Sequence, residues 1–172
     1  MSSRIGQWVL IGAFLAALSL PFAGSSAEAP NPAEDEVRQA SDAFYAALNR
    51  MFTGDMGPMS EIWSHASDVT DMGPFGGRLV GWQEVGTEFE REAKMKLGGK
   101  VEARDVVVRV SGDLGYTLCV EHGENMSADG KPITVDHRAT NIFRREASKW
   151  KLIHHHTDIS ESLQNASRPD KS

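Results

Sequence analysis

Three consecutive histidines, His154, His155 and His156, lie in a run of strand-forming residues near the end of the chain. Side chains alternate along a strand, so in Leu152–Thr157 the odd-numbered residues are expected on one face and the even-numbered residues on the other. Imidazole titrates near neutral pH, so His155 could transfer a proton or donate a hydrogen bond to a ligand. The alternative is a hydrogen-bonded core histidine that fills the space of an aromatic ring.

A metal site is a second interpretation of the same histidines. His154 and His156 share a face at a separation that can chelate an ion, but a third ligand such as His137 or His122 would be required. We therefore predict no metal and place His154 and His156 on the outer face of a sheet. The sequence contains no nucleophile elbow, phosphate loop or dinucleotide fingerprint, so we also predict no cofactor.

The elements that position these residues follow from apolar periodicity. Spacing of three and four residues indicates helices, spacing of two indicates strands, and glycine and proline mark the turns between them. The predicted elements are helices at 37–51 and 59–63, a short hairpin at 68–80, a helix at 82–93, and long strands at 101–110, 116–125, 133–145 and 150–159.

The first residues have the pattern of a secretory signal peptide. One positive charge at Arg4 precedes the apolar run 9–20, and cleavage is expected after Ala27. An uncleaved anchor is the alternative, but about a dozen apolar residues fall short of the roughly 20 that span a bilayer. We predict a signal peptide at 1–27, a disordered lead-in at 28–35, one domain at 36–160 and a polar tail at 161–172. The domain is expected to be secreted or periplasmic.

Composition narrows the possible partners. The chain of 172 residues has 18 Lys and Arg against 24 Asp and Glu, a formal net charge of -6. Such a balance disfavours nucleic acid and anionic membrane surfaces. Cys119 is the only cysteine, so no intrachain disulfide can form, and its apolar strand pattern predicts a buried, inert thiol.

Several motifs in this order of elements carry a family resemblance. Trp63-Ser64-His65, Met72–Gly77, Val80-Gly81-Trp82 and Trp150–Asp158 together resemble a SnoaL-like member of the nuclear transport factor 2-like superfamily. The last of these also resembles the final strand of the calcium/calmodulin-dependent kinase association domain. The resemblance implies an α+β fold, a cone-shaped curved antiparallel sheet around three helices. It also implies a pocket between sheet and helices, and a homodimer through the sheet.

Comparison with the association domain also suggests which side chains face the pocket. His155 and Thr157 match the pocket side of the last strand, and the same comparison places Asn141 and Glu121 inward. Burial of Glu121 would raise its pKa toward a useful acid–base range. A salt bridge between Glu121 and Arg138 is the structural alternative.

Ketosteroid isomerase, a relative of this fold, carries its general base on the strand after the second helix. Asp71 lies nearest to that place, but counting back from Gly81 puts Met72 there. Asp71 would then point away from the pocket if Met72 points in. The tyrosine and second acid of that enzyme's oxyanion site have no counterpart at matching positions. Tyr45, on the first helix, is expected to face the neighbourhood of Leu48 at best and so does not replace that tyrosine.

The remaining candidates would form the pocket walls and mouth. His65 could reach the mouth, or could instead cap the second helix, and the apolar candidates could equally be ordinary core. The predicted catalytic residues are His155, Glu121 and Asp71, and the predicted ligand-binding residues are Asn141, Thr157, His65, Met72, Phe75, Trp82 and Phe89.

Three functions remain open because relatives of this fold differ in chemistry. The first is a cofactor-free acid–base isomerase, cyclase or dehydratase that acts on a small, largely apolar organic compound. The second is a module that binds such a ligand without turnover. The third is an oligomerising interaction domain.

Overall fold

The computed structural model describes residues 31–126 and 130–166. The predicted signal peptide, the start of the lead-in and the end of the predicted tail lie outside these residues. The elements are α1 (Pro32–Met51), α2 (Gly57–Ile62), β1 (Thr70–Met72), β2 (Leu79–Val80), α3 (Trp82–Met95), β3 (Lys100–Ser111), β4 (Leu114–Met126), β5 (Pro132–Glu146), β6 (Lys149–Thr157) and α4 (Glu161–Ala166). Within the described part of the chain, no helix is both long and apolar enough to cross a membrane.

The first helix begins earlier than predicted, within the expected lead-in. The Asn31 side chain accepts a hydrogen bond from Ala33 N at 3.1 Å, and Pro32 occupies the first turn, where its missing N–H is not needed. Glu34 and Asp35 in that turn complement the helix dipole. The capping residue Asn31 therefore lies six residues before Val37, the first apolar residue of the periodic pattern.

One six-stranded sheet in the described residues is ordered β2-β1-β6-β5-β4-β3. The predicted α+β class and the curved sheet with helices are confirmed. The sheet is mixed rather than antiparallel throughout, because β1 runs parallel to β6 while the other neighbours are antiparallel. These two strands are far apart in sequence, so no hairpin turn forces them to run in opposite directions.

A bulge in β6 changes the predicted alternation of side chains. Phe143 pairs with Leu152 and Ile142 pairs with His154, so Ile153 is an extra residue in β6. Leu152, predicted to face outward, is fully buried, and the inward series continues after the bulge at His155. The prediction was correct for His155 and wrong for Leu152, because strict alternation assumes an unbroken ladder.

The structure differs from the predicted polar tail over Glu161–Ala166, which forms the short helix α4. Leu163 is buried at 2% exposure. Gln164 Nε2 donates to the Phe75 carbonyl at 2.9 Å, and Ser160 N donates to the Pro74 carbonyl at the same distance. One apolar side chain and contacts with the glycine-rich turn hold this segment, and neither produces a periodic pattern in the sequence.

Candidate active site

A narrow cavity of about 50 Å³ lies among residues from the sheet, α1 and α3. Phe44 of α1, Phe89 of α3 and Leu163 of α4 contribute apolar walls, and the turn at Gly73–Phe75 lines it as well. A buried water needs roughly 10–15 Å³, so this volume accommodates a few waters or a small organic group.

His155 lies on β6 and faces the cavity with a fixed orientation. Its Nδ1 lies 2.7 Å from Asn141 Oδ1. The Nδ2 of Asn141 donates to Tyr45 Oη at 3.1 Å and to Thr117 Oγ1 at 3.3 Å, so Oδ1 is the acceptor toward the ring. His155 Nδ1 therefore carries the proton, and Nε2 is an unprotonated acceptor.

The His155 ring is neutral. The pKa of His155 is lowered to about 3, mainly by burial and to a smaller extent by the flanking His154 and His156. Its Nε2 lies 3.8 Å from Glu121 Oε1, but a neutral ring forms no ion pair at that distance. The sequence-based prediction of an inward, titratable His155 therefore becomes a neutral imidazole whose basic nitrogen lies near a carboxyl group.

Glu121 is the second ionisable group of the site. Its carboxylate accepts hydrogen bonds from Tyr45 Oη at 3.2 Å and Thr157 Oγ1 at 2.9 Å. Burial raises the pKa of Glu121 to about 7, although both hydrogen bonds oppose the shift. The alternative salt bridge with Arg138 is wrong, because Arg138 Nε binds Asp158 at 3.0 Å instead.

Tyr45 connects these groups, and the sequence analysis did not identify it as a site residue. Its Oη lies 3.1 Å from Cys119 Sγ and receives the Asn141 amide on another side. Burial raises the pKa of Tyr45, so the hydroxyl stays protonated and donates to Glu121. A signal was present in the sequence: Tyr45 follows Ser41 by four residues, so both lie on the same side of α1, at the edge of its apolar stripe. Both side chains are buried.

The cysteine that contacts this tyrosine has the properties predicted for it. Cys119 is buried, and burial raises its pKa to about 11, which keeps the thiol protonated.

Asp71 meets His155 through the parallel pairing of β1 with β6, which places the two residues opposite each other. Asp71 is only 4% exposed and lines the cavity. Burial raises the pKa of Asp71 to about 7, while a hydrogen bond from the Gly73 backbone opposes the shift and Glu121 adds to it. The Oδ1 atom of Asp71 has no hydrogen-bond partner.

The orientation of β1 is the reverse of that inferred by counting back from Gly81. Asp71 points inward, and Met72 is not among the residues that line the cavity. A three-residue strand is too short for its alternation to fix which face is buried, so its pairing with β6 decides.

Two further ionisable residues line the cavity and were not predicted to do so. Glu92 lies on α3, and burial together with the nearby Asp71 raises the pKa of Glu92 well above its ordinary value. His137 pairs with Glu121 across β4 and β5, and burial lowers the pKa of His137. Glu92 follows Phe89 by three residues, so helical spacing places both on the same side of α3.

The remaining predicted ligand-binding residues divide into two groups. Phe75 and Phe89 line the cavity. Asn141 and Thr157 do not line it, but Asn141 is hydrogen-bonded to His155 and Thr157 is hydrogen-bonded to Glu121. The other two, His65 and Trp82, do not line it.

His65 and Trp82 instead contact each other outside the cavity. Their rings stack with centroids 4.3 Å apart. His65 Nε2 also lies 2.9 Å from the Ser60 carbonyl in α2. The capping interpretation of His65 therefore fits the structure.

His154 and His156 lie away from these groups. His154 Nδ1 is 2.7 Å from Thr70 Oγ1, and His156 is exposed. Among residues 31–126 and 130–166, no three His, Cys, Asp or Glu side chains are grouped to hold a metal ion.

A comparison with protein families decides the affiliation of this chain. The family model of the SnoaL-like domain matches residues 37–159. The chain belongs to the SnoaL-like domain family. No curated protein matches the sequence significantly.

Solved structures with the same fold have diverse names. A proposed dehydratase of the NTF2-like family from Streptomyces avermitilis is 28% identical, with a TM-score of 0.65, over 75% of this chain and 96% of its own. A proposed aromatic ring hydroxylase from Novosphingobium aromaticivorans is 18% identical, with a TM-score of 0.65, over 81% and 100%. The CaMKII hub of S. rosetta is 21% identical, with a TM-score of 0.59, over 76% and 99%. The last two show the fold alone.

Within this SnoaL-like domain, one small space is bordered by a neutral imidazole and by carboxyl groups that titrate near neutral pH. Groups with pKa values near the working pH exchange protons most effectively. These groups can remove a proton from one atom of a bound compound and return a proton to another atom.

Proposed function

We propose that this protein is an exported, cofactor-free acid–base enzyme of the isomerase or dehydratase kind, acting on a small organic compound. The observation that carries the proposal is the unpartnered Oδ1 of the buried Asp71, opposite the neutral His155. A buried polar atom without a partner costs stability, so its retention favours a role in contacting a ligand.

Two groups carry the proton transfers, and a third positions the compound. Asp71, whose pKa is raised to about 7, is partly ionised at neutral pH and can remove a proton from a carbon or oxygen of the compound. Glu121 has a similar pKa and can return a proton to a second atom. The lone pair of His155 Nε2 accepts a hydrogen bond from the compound and keeps it between the two carboxyl groups.

Ligand binding without turnover is the alternative, and the same cavity would serve it. A binding module needs one polar anchor in an apolar cavity, whereas this cavity contains two carboxyl groups with pKa values near 7. The Streptomyces relative, proposed to be a dehydratase, also supports an enzyme.

Exchange of carbon-bound hydrogen tests the catalytic proposal. Small ketones and β-hydroxy carbonyl compounds, with and without an amino group, would be incubated with the protein in D2O and followed by NMR. We expect His155→Gln to lower the exchange rate by about 10-fold to 100-fold, because the compound loses the Nε2 acceptor that holds it between the two carboxyl groups. His156→Gln, an exposed position on the same strand, is the control. Equal rates for His155→Gln and wild type would contradict the proposal.

A homodimer through the outer face of the sheet is proposed from its surface. Val107, Leu114, Tyr116 and Leu118 are each at least 40% exposed on this face. Burial of such a patch favours association. Light scattering should give twice the mass of one chain, and Leu118→Glu should halve it while Ile159→Glu should not. A monomeric wild type would contradict the dimer.

Export is proposed from the pattern of residues 1–27. Intact mass measurement of the protein from the medium or periplasm should give a chain that begins at Glu28. A full-length mass, or protein retained in the cytoplasm, would contradict export.

A further inference from the structure

The cavity contains ionisable groups of predominantly one sign. Carboxyl groups reach it from three elements: Asp71 from β1, Glu92 from α3 and Glu121 from β4. No lysine or arginine is present among the described residues that line it. Its two histidines, His137 and His155, both have lowered pKa values, so they supply little positive charge to balance these carboxyl groups.

One oxygen atom of these carboxyl groups lacks a donor. Asp71 is 4% exposed, and its Oδ1 has no hydrogen-bond partner. The carboxyl group of Glu121 differs from that of Asp71, because both of its oxygens already accept hydrogen bonds, one from Tyr45 and one from Thr157. A ligand that satisfies Asp71 must therefore bring an N–H or O–H donor into a space without cations.

The apolar walls of the same space include aromatic rings. Phe44, Phe75 and Phe89 line the cavity. The faces of aromatic rings attract cations, and the attraction increases when water is excluded. Arg91 lies over Phe75, 5.6 Å from the ring centroid, and is itself paired with Glu88, so one of these rings already contacts a cation.

We propose that the ligand of this cavity carries a protonated amine, which donates to Asp71 and is balanced by Glu92 and Glu121. The inference rests on the proposed function, because it names the class of compound on which the acid–base groups act. An anionic ligand would meet three carboxyl groups and no cation. A neutral hydroxyl would also satisfy Oδ1, but it would gain nothing from the negative charge that these carboxyl groups can carry when they ionise.

Binding of a cation should be coupled to loss of protons from the cavity. The ionisable groups that face or border it are Tyr45, Asp71, Glu88, Arg91, Glu92, Glu121, His137 and His155. Arg91 stays charged, His155 stays neutral because its pKa is lowered to about 3, and burial lowers the pKa of His137, which favours its neutral form. The carboxyl groups therefore supply most of the titration. Because the pKa of Asp71 is raised to about 7, an ammonium ion must displace its proton at pH 6 but not at pH 8.

The binding of n-propylammonium, 1-propanol and propionate to the whole protein tests this inference. Dissociation constants would be measured by NMR at pH 6 and pH 8 and constant ionic strength. We expect propylammonium to bind about tenfold more tightly at pH 8, as loss of one proton with a pKa near 7 requires. Propanol should bind with little pH dependence, and propionate should bind more weakly at pH 8.

Two variants locate the effect. Asp71→Asn should weaken propylammonium binding and remove most of its pH dependence, and Glu92→Gln should weaken it as well. Glu90→Gln, an exposed glutamate on the same helix, should change neither. If Asp71→Asn fails to fold, the wild-type pH dependence and Glu92→Gln decide. Propylammonium that fails to bind, or binds no more tightly at pH 8 than at pH 6, would overturn the inference.

These results are separate from the test of catalysis. If propylammonium fails to bind while His155→Gln still slows exchange, the substrate class is wrong and the enzyme function stands. If propylammonium binds as expected while His155→Gln has no effect on exchange, the cation site stands and the catalytic proposal is wrong.

Discussion

Replacement of Asp71 by asparagine is expected to lower turnover by about 10²-fold to 10⁴-fold, the usual contribution of a general acid or base. Asparagine preserves the size and hydrogen-bonding reach of the side chain but cannot accept a proton. The effect should fall on kcat, because the lost proton transfer belongs to the chemical step. The measurement is steady-state kinetics on the compound that exchanges fastest in the NMR panel.

A folded Asp71→Asn protein is needed to interpret that result, and the structure predicts one. The substitution removes a carboxyl group whose ionised form is disfavoured by burial, so the free energy of unfolding at pH 8 should not fall. Asp136→Asn, at an exposed position on β5, is the matched control and should keep full activity. A folded Asp71→Asn protein with wild-type kcat would remove Asp71 from the mechanism.

The second large effect is a fall in stability as the pH rises. The pKa values of Asp71 and Glu121 are raised to about 7, above their unfolded values near 4. Between about pH 4 and pH 7, the folded state therefore binds more protons than the unfolded state. The stability that the protonated carboxyl groups contribute is lost as the pH rises through 7.

His155 acts in the opposite direction over part of the same range. Its pKa is lowered to about 3, so the unfolded state binds the extra proton and stability is lost as the pH falls below about 6.5. Each unit of pKa shift corresponds to about 1.4 kcal/mol. The two carboxyl groups together therefore change the free energy of unfolding over this range more than the one imidazole does. For these three groups alone, the free energy of unfolding should fall by about 3 kcal/mol from pH 5 to pH 8. The raised pKa of Glu92 acts in the same direction.

Urea unfolding at pH 5, 6.5 and 8 measures this dependence. Glu121→Gln should reduce the slope by about one proton, and the exposed control Glu90→Gln should leave it unchanged. A stability that is constant or rises toward pH 8 would show that the carboxyl groups are not desolvated as the structure indicates.

The order of elements was predictable because long apolar periods determine long elements. The stripe of α1 and the four long strands each repeat many times, so single exceptions do not obscure the pattern. The resemblance to the kinase association domain implied that Glu121 and Asn141 point inward, and both are buried. For these residues, long-range structure adds only the identity of the partners.

The parts that could not be predicted depend on contacts between distant segments. The orientation of Asp71 is set by its pairing with His155, and the Ile153 bulge reverses the faces within β6. Tyr45 reaches Glu121 across 76 residues of sequence. Helical periodicity places Tyr45 at the edge of an apolar stripe but does not indicate what lies opposite.

Titration of the side-chain carboxyl carbons by NMR, in wild type and in Asp71→Asn, measures directly whether Asp71 is a desolvated acid–base group. We expect one aspartate signal with a pKa near 7 that is missing from Asp71→Asn, and a glutamate signal, that of Glu121, which also titrates near 7. If no aspartate carboxyl titrates well above the ordinary value of about 4, Asp71 is not the desolvated acid–base group of this cavity.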